Sequence, residues 1–532
     1  MKKHLSFFAF IFFLVISYSQ DYSKGIFIIN EGWFGHDNGS VNFLNDQGQF
    51  TYNAYKSANE NLYTLGTTTQ FATIYGDQFY FVSKQEGKGD YSGKKIVISD
   101  SKNLLKKAEL TLPADGRSFV GVDESKGYIA TSNGIYILNL QEMSLGDLIE
   151  GSNGSQVGNM IRTSQYVFAV KQNTGIIIID PSNNSVIKTL SGSYTTIVQS
   201  KNGDVWAGAG SKLVKINPVT FTTEEITLSG TSISGSWGAW NAGSLCSSIQ
   251  NNVLYWTNSG TFGGGSTISK YDIDAKVLNT SFFTLPGQEG TYKQIFYGSA
   301  LRIDPVSNRL IITATESGWG AHYQKNWVHM VSDQGDLVHT FSLTDYYWFP
   351  AITVFPDNYS PLINSQLSQT INELKNTIHI NLKNMATDSD NLDAAIVKSV
   401  NYITNEQILE ASVNKEDELV LTPLKPGNAE IEIVFNSNGK IARHAMIINV
   451  PTTLSSEEIQ IKKELTIYPN PCTDYFFIDV SKNENLKIFS VNGQQVYEQY
   501  LTTGKNMINI SHLAQGIYWV KTSNDSYKII KK

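Results

Sequence analysis

The feature that most limits what this chain can become is a strand–turn–strand phrase that recurs along it. Ile176-Ile177-Ile178-Ile179-Asp180-Pro181-Ser182-Asn183 is followed by Ser185-Val186-Ile187-Lys188-Thr189-Leu190. Leu213-Val214-Lys215-Ile216-Asn217-Pro218-Val219-Thr220 is then followed by Glu224-Glu225-Ile226-Thr227-Leu228. In each copy an apolar strand runs into an Asp/Asn-Pro turn, where the Asx side chain starts the turn and Pro presets φ. A unit of about 40 residues built only from short strands reads as one blade of a β-propeller.

Turns of this kind begin at Asn45, Asp100, Asn139, Asp180, Asn217, Asp272 and Ser332, which predicts seven blades of four strands. A second family of polar turns precedes the pairs, at Asp123-Glu124-Ser125-Lys126-Gly127, Lys201-Asn202-Gly203-Asp204 and Asp304-Pro305-Val306-Ser307-Asn308. Gly25-Ile26-Phe27-Ile28-Ile29-Asn30 reads as a second strand without a first. Residues 351–355 are expected to supply the missing one and so leave no open sheet edge.

Both turn families fall on one face of such a ring. The remaining loops fall on the other, and they are longer and aromatic: residues 31–40 (EGWFGHDNGS), 84–94, 229–243 (SGTSISGSWGAWNAG), 259–266, 286–294, 316–325 (ESGWGAHYQK) and 344–349 (TDYYWF). They predict a lopsided, aromatic-lined bowl on half of the ring, because loops on a rigid scaffold carry binding surfaces.

The domain plan is a signal peptide at 1–20, the propeller at 21–357, a small Ig-like β-sandwich at 362–452 and a last β unit at 464–532. Lys2 and Lys3 precede the apolar run 5–16, which is too short to span a bilayer and suits a secretory leader. The sandwich reads as a spacer. A net charge of -7 without a long basic run gives no reason to expect a nucleic-acid partner. The overall expectation is an all-β chain.

The C-terminal unit resembles the sorting domain of the type IX secretion system. The residues that carry this are Tyr468-Pro469-Asn470-Pro471, Lys487-Ile488-Phe489 with Gly493 and Val496, and Leu513 with Gly516-Ile517-Tyr518-Trp519-Val520-Lys521. The resemblance implies handling by the type IX machinery, export across the outer membrane, and a cell-surface or extracellular location. The propeller is similar to surface-layer or YVTN-type propellers of the Bacteroidetes, through Gly25-Ile26-Phe27-Ile28-Ile29-Asn30-Glu31-Gly32-Trp33-Phe34-Gly35 and Leu65-Gly66-Thr67-Thr68-Thr69-Gln70. Its head region resembles the propellers that capture corrinoids (vitamin B12-like nutrients) and pass them to a TonB-dependent outer-membrane receptor. Known members of that group are lipoproteins, whereas this chain ends in a sorting tail.

The function expected from the loops is ligand capture without bond-making, a corrinoid being the first candidate as bound ligand and no other cofactor being implied. The candidate contacts are Glu31, Trp33, Phe34, His36, Tyr91, Trp237, Trp240, Trp319, His322, Tyr347 and Trp348. Tryptophans offer flat contact area, although in propellers they also pack between blades. His36 and His322 could coordinate cobalt or donate a proton, and a surface or structural role is the alternative. Glycan or protein adhesion through the same bowl is the rival reading, with a propeller lyase behind it. No catalytic or metal-ligating constellation is expected: there is no Gly-x-Ser-x-Gly elbow, no placeable carboxylate pair and no metal-ligand spacing.

Overall fold

The computed structural model describes residues 21–258, 264–452, 467–523 and 526–532. The expected leader, Phe262 and most of the 451–463 linker lie outside the described residues.

Among the described residues, seven four-stranded antiparallel sheets follow one another in chain order from residue 25 to residue 354. Their innermost strands are Pro350–Val354 (blade 1), Thr67–Tyr75 (2), Gly116–Gly121 (3), Val157–Arg162 (4), Thr196–Gln199 (5), Cys246–Ser247 (6) and Gln294–Ile303 (7). Consecutive inner strands touch, and those of blades 7 and 1 share a bridge between Ser299 and Ile352 that closes the ring. Blade 1 is shared between the two ends of the propeller: Gly25–Asn30 pairs with Pro350–Val354, Phe27 opposite Val354 and Ile29 opposite Ile352.

The seven turns named from sequence each lie between the third and fourth strands of a blade, and the leading side chain caps each one. Asn45 Oδ1 accepts the N–H groups of Gln47 and Gln49, and Asp100 Oδ1 those of Lys102 and Asn103. Asn139 accepts from Gln141 and Glu142, Asp180 from Ser182, and Asn217 from Val219 and Thr220. Asp272 accepts from Ala275, and Ser332 Oγ accepts from Gln334 and Asp336. These side chains satisfy turn amides that the sheet leaves unpaired, which is why the turns recur in the sequence. Between blades the packing is aromatic: Phe27 lies 4.9 Å from both Phe43 and Phe79, in the core that joins blades 1 and 2.

The sandwich has a four-stranded sheet (Thr370–Ile371, Lys440–Val450, Gly427–Ser437, Val397–Ile403) facing a three-stranded one (Ile378–Asn381, Glu418–Pro423, Leu409–Val413). It is more than a spacer, because it docks on the short-turn face of the propeller. Asn438 Nδ2 donates to the Ile74 carbonyl at 3.0 Å and to Asp357 Oδ2 at 2.7 Å. Arg443 pairs with Glu124 at 2.8 Å and Lys415 with Asp180 at 3.0 Å, while Ser164 and Gln165 donate to Asp417. Gly439, at φ +86°, lies so close to Gly76 that a Cβ would fall 2.5 Å from its backbone nitrogen. Residues 451–532 form a second unit, with Tyr475–Val480 paired to Gly504–Asn509 and a four-stranded sheet behind a core of Phe476, Ile478, Leu486, Ile488, Ile508, Val520 and Ile529.

Burial in the seam pushes the Asp357 carboxyl up to about 7, with Lys440 3.9 Å away acting in opposition. Asp390 nearby is likewise pushed up by burial, to about 6, and the carboxylate of Asp388 adds to its shift. A carboxyl with a raised folded pKa keeps its proton where the unfolded chain has lost it, so its stability contribution declines as pH rises from about 4 to about 7. Asp357→Asn keeps the acceptor for Asn438 and removes the charge. Its melting temperature is expected to gain on the parent protein by a few degrees between about pH 5 and about pH 8. Parallel melting curves for the two proteins across that range would refute the assignment.

Candidate functional site

On the face opposite the sandwich, the inner strands and long loops enclose a cavity of about 460 Å³. Its walls come from blades 7, 1, 2 and 3 and from the 229–243 loop. Glu31 leaves strand Gly25–Asn30 directly into it. The Glu31 backbone N–H donates to the Phe349 carbonyl at 3.0 Å, which ties it to the closing segment. Its buried carboxylate accepts from Tyr297 Oη at 2.8 Å and from Gln70 Nε2. Burial raises the Glu31 carboxyl above the usual range, against the pull of the Lys84 charge and these hydrogen bonds. The Tyr297 hydroxyl is held well above an ordinary phenol by burial and by Glu31.

Two cations stand across the cavity. Burial brings the Lys84 ammonium down to about 8, and it has no hydrogen-bond partner among the described residues. Arg117, on the inner strand of blade 3, is fixed instead: Nε and Nη2 donate to Gln156 Oε1 at 2.9 and 2.7 Å, and Nη1 to the Gly116 carbonyl at 2.9 Å. Gln156 Nε2 donates in turn to the Trp237 carbonyl at 3.1 Å, so the same residue anchors the 229–243 loop. Asp115 and Asn241 complete this side.

The 65–70 segment supplies the floor. Gly39 packs on it so tightly that a Cβ there would meet Thr69 Oγ1 at 2.1 Å, and the Gly39 N–H donates to the Gly66 carbonyl. Thr68 sits at φ +56°, a left-handed conformation that costs a β-branched residue of order 1–3 kcal/mol. Its buried hydroxyl has no partner, nor does Gln70 Oε1. Strain and orphaned polar atoms thus coincide in one wall.

The structure divides the residues singled out from sequence. Glu31 and Phe34 line the cavity. Trp33 stands at the rim, stacked between His36 (3.7 Å) and Tyr347 (4.6 Å). Trp319 is 87% exposed, edge-on to Tyr323. His322 stacks on Tyr292 at 3.7 Å and hydrogen-bonds Glu316. Tyr91 is exposed beside Tyr63. Trp237 is half-buried against the core. Trp240 (1% exposed) and Trp348 are core residues. The first packs on Gly158 and near the Arg117 guanidinium; the second stacks on Tyr52 and donates Nε1 to the Thr344 carbonyl at 2.8 Å.

Most of the aromatic rings therefore lie on the loops of blades 7, 1 and 2 outside the cavity, whose lining residues are mainly polar, with Phe34 and Tyr297 its aromatic members. Sequence reasoning did not name Thr68, Gln70, Lys84, Asp115, Arg117, Asn241 or Tyr297 as contacts, although Thr68 and Gln70 stand in the resemblance motif and Lys84 and Asn241 in the long loops. One signal was available: Arg117 interrupts a strand whose other residues are small or apolar, and an arginine there must face a cavity or a partner. Among the described residues, no group of three or more His, Cys, Asp or Glu side chains is arranged to hold a metal ion.

A family model described as "Domain of unknown function (DUF5074)" matches residues 24–356. A second, "Secretion system C-terminal sorting domain", matches residues 466–532. The tail is therefore a sorting domain, and the chain is exported by type IX secretion to the cell surface or the extracellular space. No curated protein matches the chain. Among solved structures, it is similar to a quinonprotein alcohol dehydrogenase-like protein from Bacteroides thetaiotaomicron VPI-5482 (18% identity, 63% of this chain and 79% of that one, TM-score 0.47). It is also similar to the computationally designed Ika8 protein (9% identity, 76% and 98%, TM-score 0.37).

Thr68 offers a direct check on the site. Thr68→Val preserves the shape and the backbone strain while deleting the buried, unpaired hydroxyl. The ligand-free variant is expected to be more stable by about 1 kcal/mol, read from denaturant unfolding. A loss of stability would mean that the hydroxyl is already satisfied.

Proposed function

We propose, for a chain that belongs to the family described as a domain of unknown function (DUF5074), that the propeller captures a large amphipathic nutrient at the cell surface, a corrinoid first. The observation that carries this reading is the set of unpaired groups in one cavity wall: the Lys84 ammonium, Gln70 Oε1 and the Thr68 hydroxyl. A primary carboxamide answers them, its oxygen accepting from Lys84 and its N–H groups donating to Gln70 and Thr68. A corrinoid carries several such amides around a broad, flat ring. The ring itself is too large for about 460 Å³ and would rest on the rim, over Phe34 and the Trp33–Tyr347 stack. The opposed charges of Glu31 and Asp115 against Lys84 and Arg117 suit a ligand that is neutral overall.

On this reading the protein binds without breaking bonds and hands its cargo to an outer-membrane receptor of the TonB-dependent kind. Glycan adhesion is the second reading, and the exposed rings favour it: Trp319 and the Trp33 stack offer platforms on which sugars can lie.

Titration of the full chain by calorimetry with cyanocobalamin, cobinamide and a glycan panel separates the two. A corrinoid is expected to bind below about 1 μM, and Lys84→Met or Glu31→Gln to weaken it about tenfold or more. Glycan binding that these two variants leave intact, with no corrinoid bound below micromolar concentration, would overturn the proposal in favour of adhesion.

A further inference from the structure

Further along the same inner strands, toward the sandwich, lies a second cavity of about 360 Å³. It is walled by Phe71–Ile74 side chains of blade 2, by Asn159, Cys246, Ser247 and Arg302, and by the closing segment from Ile352 to Asp357. Asp390, Asn391 and Asn438 of the sandwich side also line it.

Arg302 is the group in this cavity that lacks a counterpart. It belongs to the inner strand of blade 7, and its described hydrogen bonds both leave from Nη1, to the carbonyls of Gly243 (3.0 Å) and Leu301 (2.6 Å). Neither Nε nor Nη2 has a partner among the described residues, and no carboxylate forms an ion pair with the guanidinium. The two carboxylates that share the cavity are engaged elsewhere. Asp357 takes Asn438 at 2.7 Å and faces Lys440 at 3.9 Å; Asp390 takes the backbone N–H groups of Asn358 and Tyr359. The neighbouring Cys246 thiol is pushed up to about 12 by burial, so it stays neutral. Arg162, the other arginine deep in the ring, differs in that the Asp123 and Asp417 charges act on it.

A half-buried guanidinium with two N–H-bearing nitrogens unpaired and no carboxylate beside it offers a place for an anion. The wall supplies a second donor for one. Thr353, on the adjoining inner strand of blade 1, is 4% exposed, and its hydroxyl has no partner. Arginine N–H groups and a hydroxyl that line one cavity supply donors for an oxyanion.

We propose that the inner cavity binds one small inorganic oxyanion, of the phosphate or sulfate class, between the Arg302 guanidinium and the Thr353 hydroxyl. The anion then joins blade 7 to the closing strand of blade 1 from inside the ring, at a site separate from the capture cavity.

The test is thermal unfolding and calorimetry of the full chain with sodium sulfate or sodium phosphate, chloride balancing the ionic strength. The expected result is a saturable rise in melting temperature of a few degrees and a stoichiometry of one. Arg302→Gln is expected to abolish the rise, Thr353→Val to raise the half-saturating concentration about tenfold, and Lys84→Met in the capture cavity to leave it unchanged. Absence of a saturable rise in the parent protein overturns the proposal, as does a parent-like response in Arg302→Gln. Should Arg302→Gln not fold, Thr353→Val decides: parent-like half-saturation there overturns the site. Loss of the response in Lys84→Met would move the anion to the capture cavity and likewise overturn it.

Discussion

Everything on the open face depends on one pairing, that of Gly25–Asn30 with Pro350–Val354. Without it blade 1 has no inner strand, and two sheet edges stand exposed. Its consequences reach beyond stability. Glu31 follows the paired strand by one residue, and its N–H is held by Phe349; Gly32 donates to the Trp348 carbonyl in the same way. The Trp33–Tyr347 stack joins the first long loop to the last. Tyr297, which fixes the Glu31 carboxylate, comes from the blade on the other side of the closure. The candidate site is therefore assembled at the junction of the propeller's two ends, where each half is held by the other.

The two faces of the ring have opposite fates for a related reason. Asx-capped turns are short and self-satisfied, so that face is regular enough for another domain to sit on. The sandwich uses it, touching the first turns of blades 2, 3 and 4 through Asn438, Arg443 and Asp417. The opposite face keeps long loops whose polar groups are only partly paired internally. The mouth away from the sandwich is therefore the one framed by long loops.

Much of this architecture was legible because it rests on local chemistry. An Asp, Asn or Ser that caps its own turn does so in any context, and all seven positions read that way, six Asx and Ser332, fold that way. Glu31 was named as a contact, and its carboxylate lines the cavity while accepting from Tyr297 and Gln70 of the neighbouring blades. Lys84, Arg117, Gln70 and Tyr297 were not legible as contacts, since they come from blades 2, 3 and 7 and only closure of the ring brings them together. Trp240 and Trp348 misled for the converse reason. Their place in long aromatic loops suggested exposure, yet the indole of Trp240 fits the space that Gly158 leaves empty, where a Cβ would lie 2.8 Å from its Nε1.

The polar character of the walls follows from the geometry of a ring. Side chains on inner strands that point at the axis face open space instead of a neighbouring sheet, and apolar groups there would gain little burial. Gln70 and Arg117, with Arg302 deeper in the ring, occupy such positions, and each is oriented by hydrogen bonds to an adjacent blade or to the loop that bridges it. Blade-to-blade cohesion is left to the aromatic layers between sheets, Phe27 against Phe79 and Tyr80 against Phe119 among them. That separation frees the axis for groups whose pairing is incomplete within the chain. A half-buried lysine without an acceptor and a strained threonine without a donor are tolerable in one cavity only because the aromatic layers hold its walls apart independently of them.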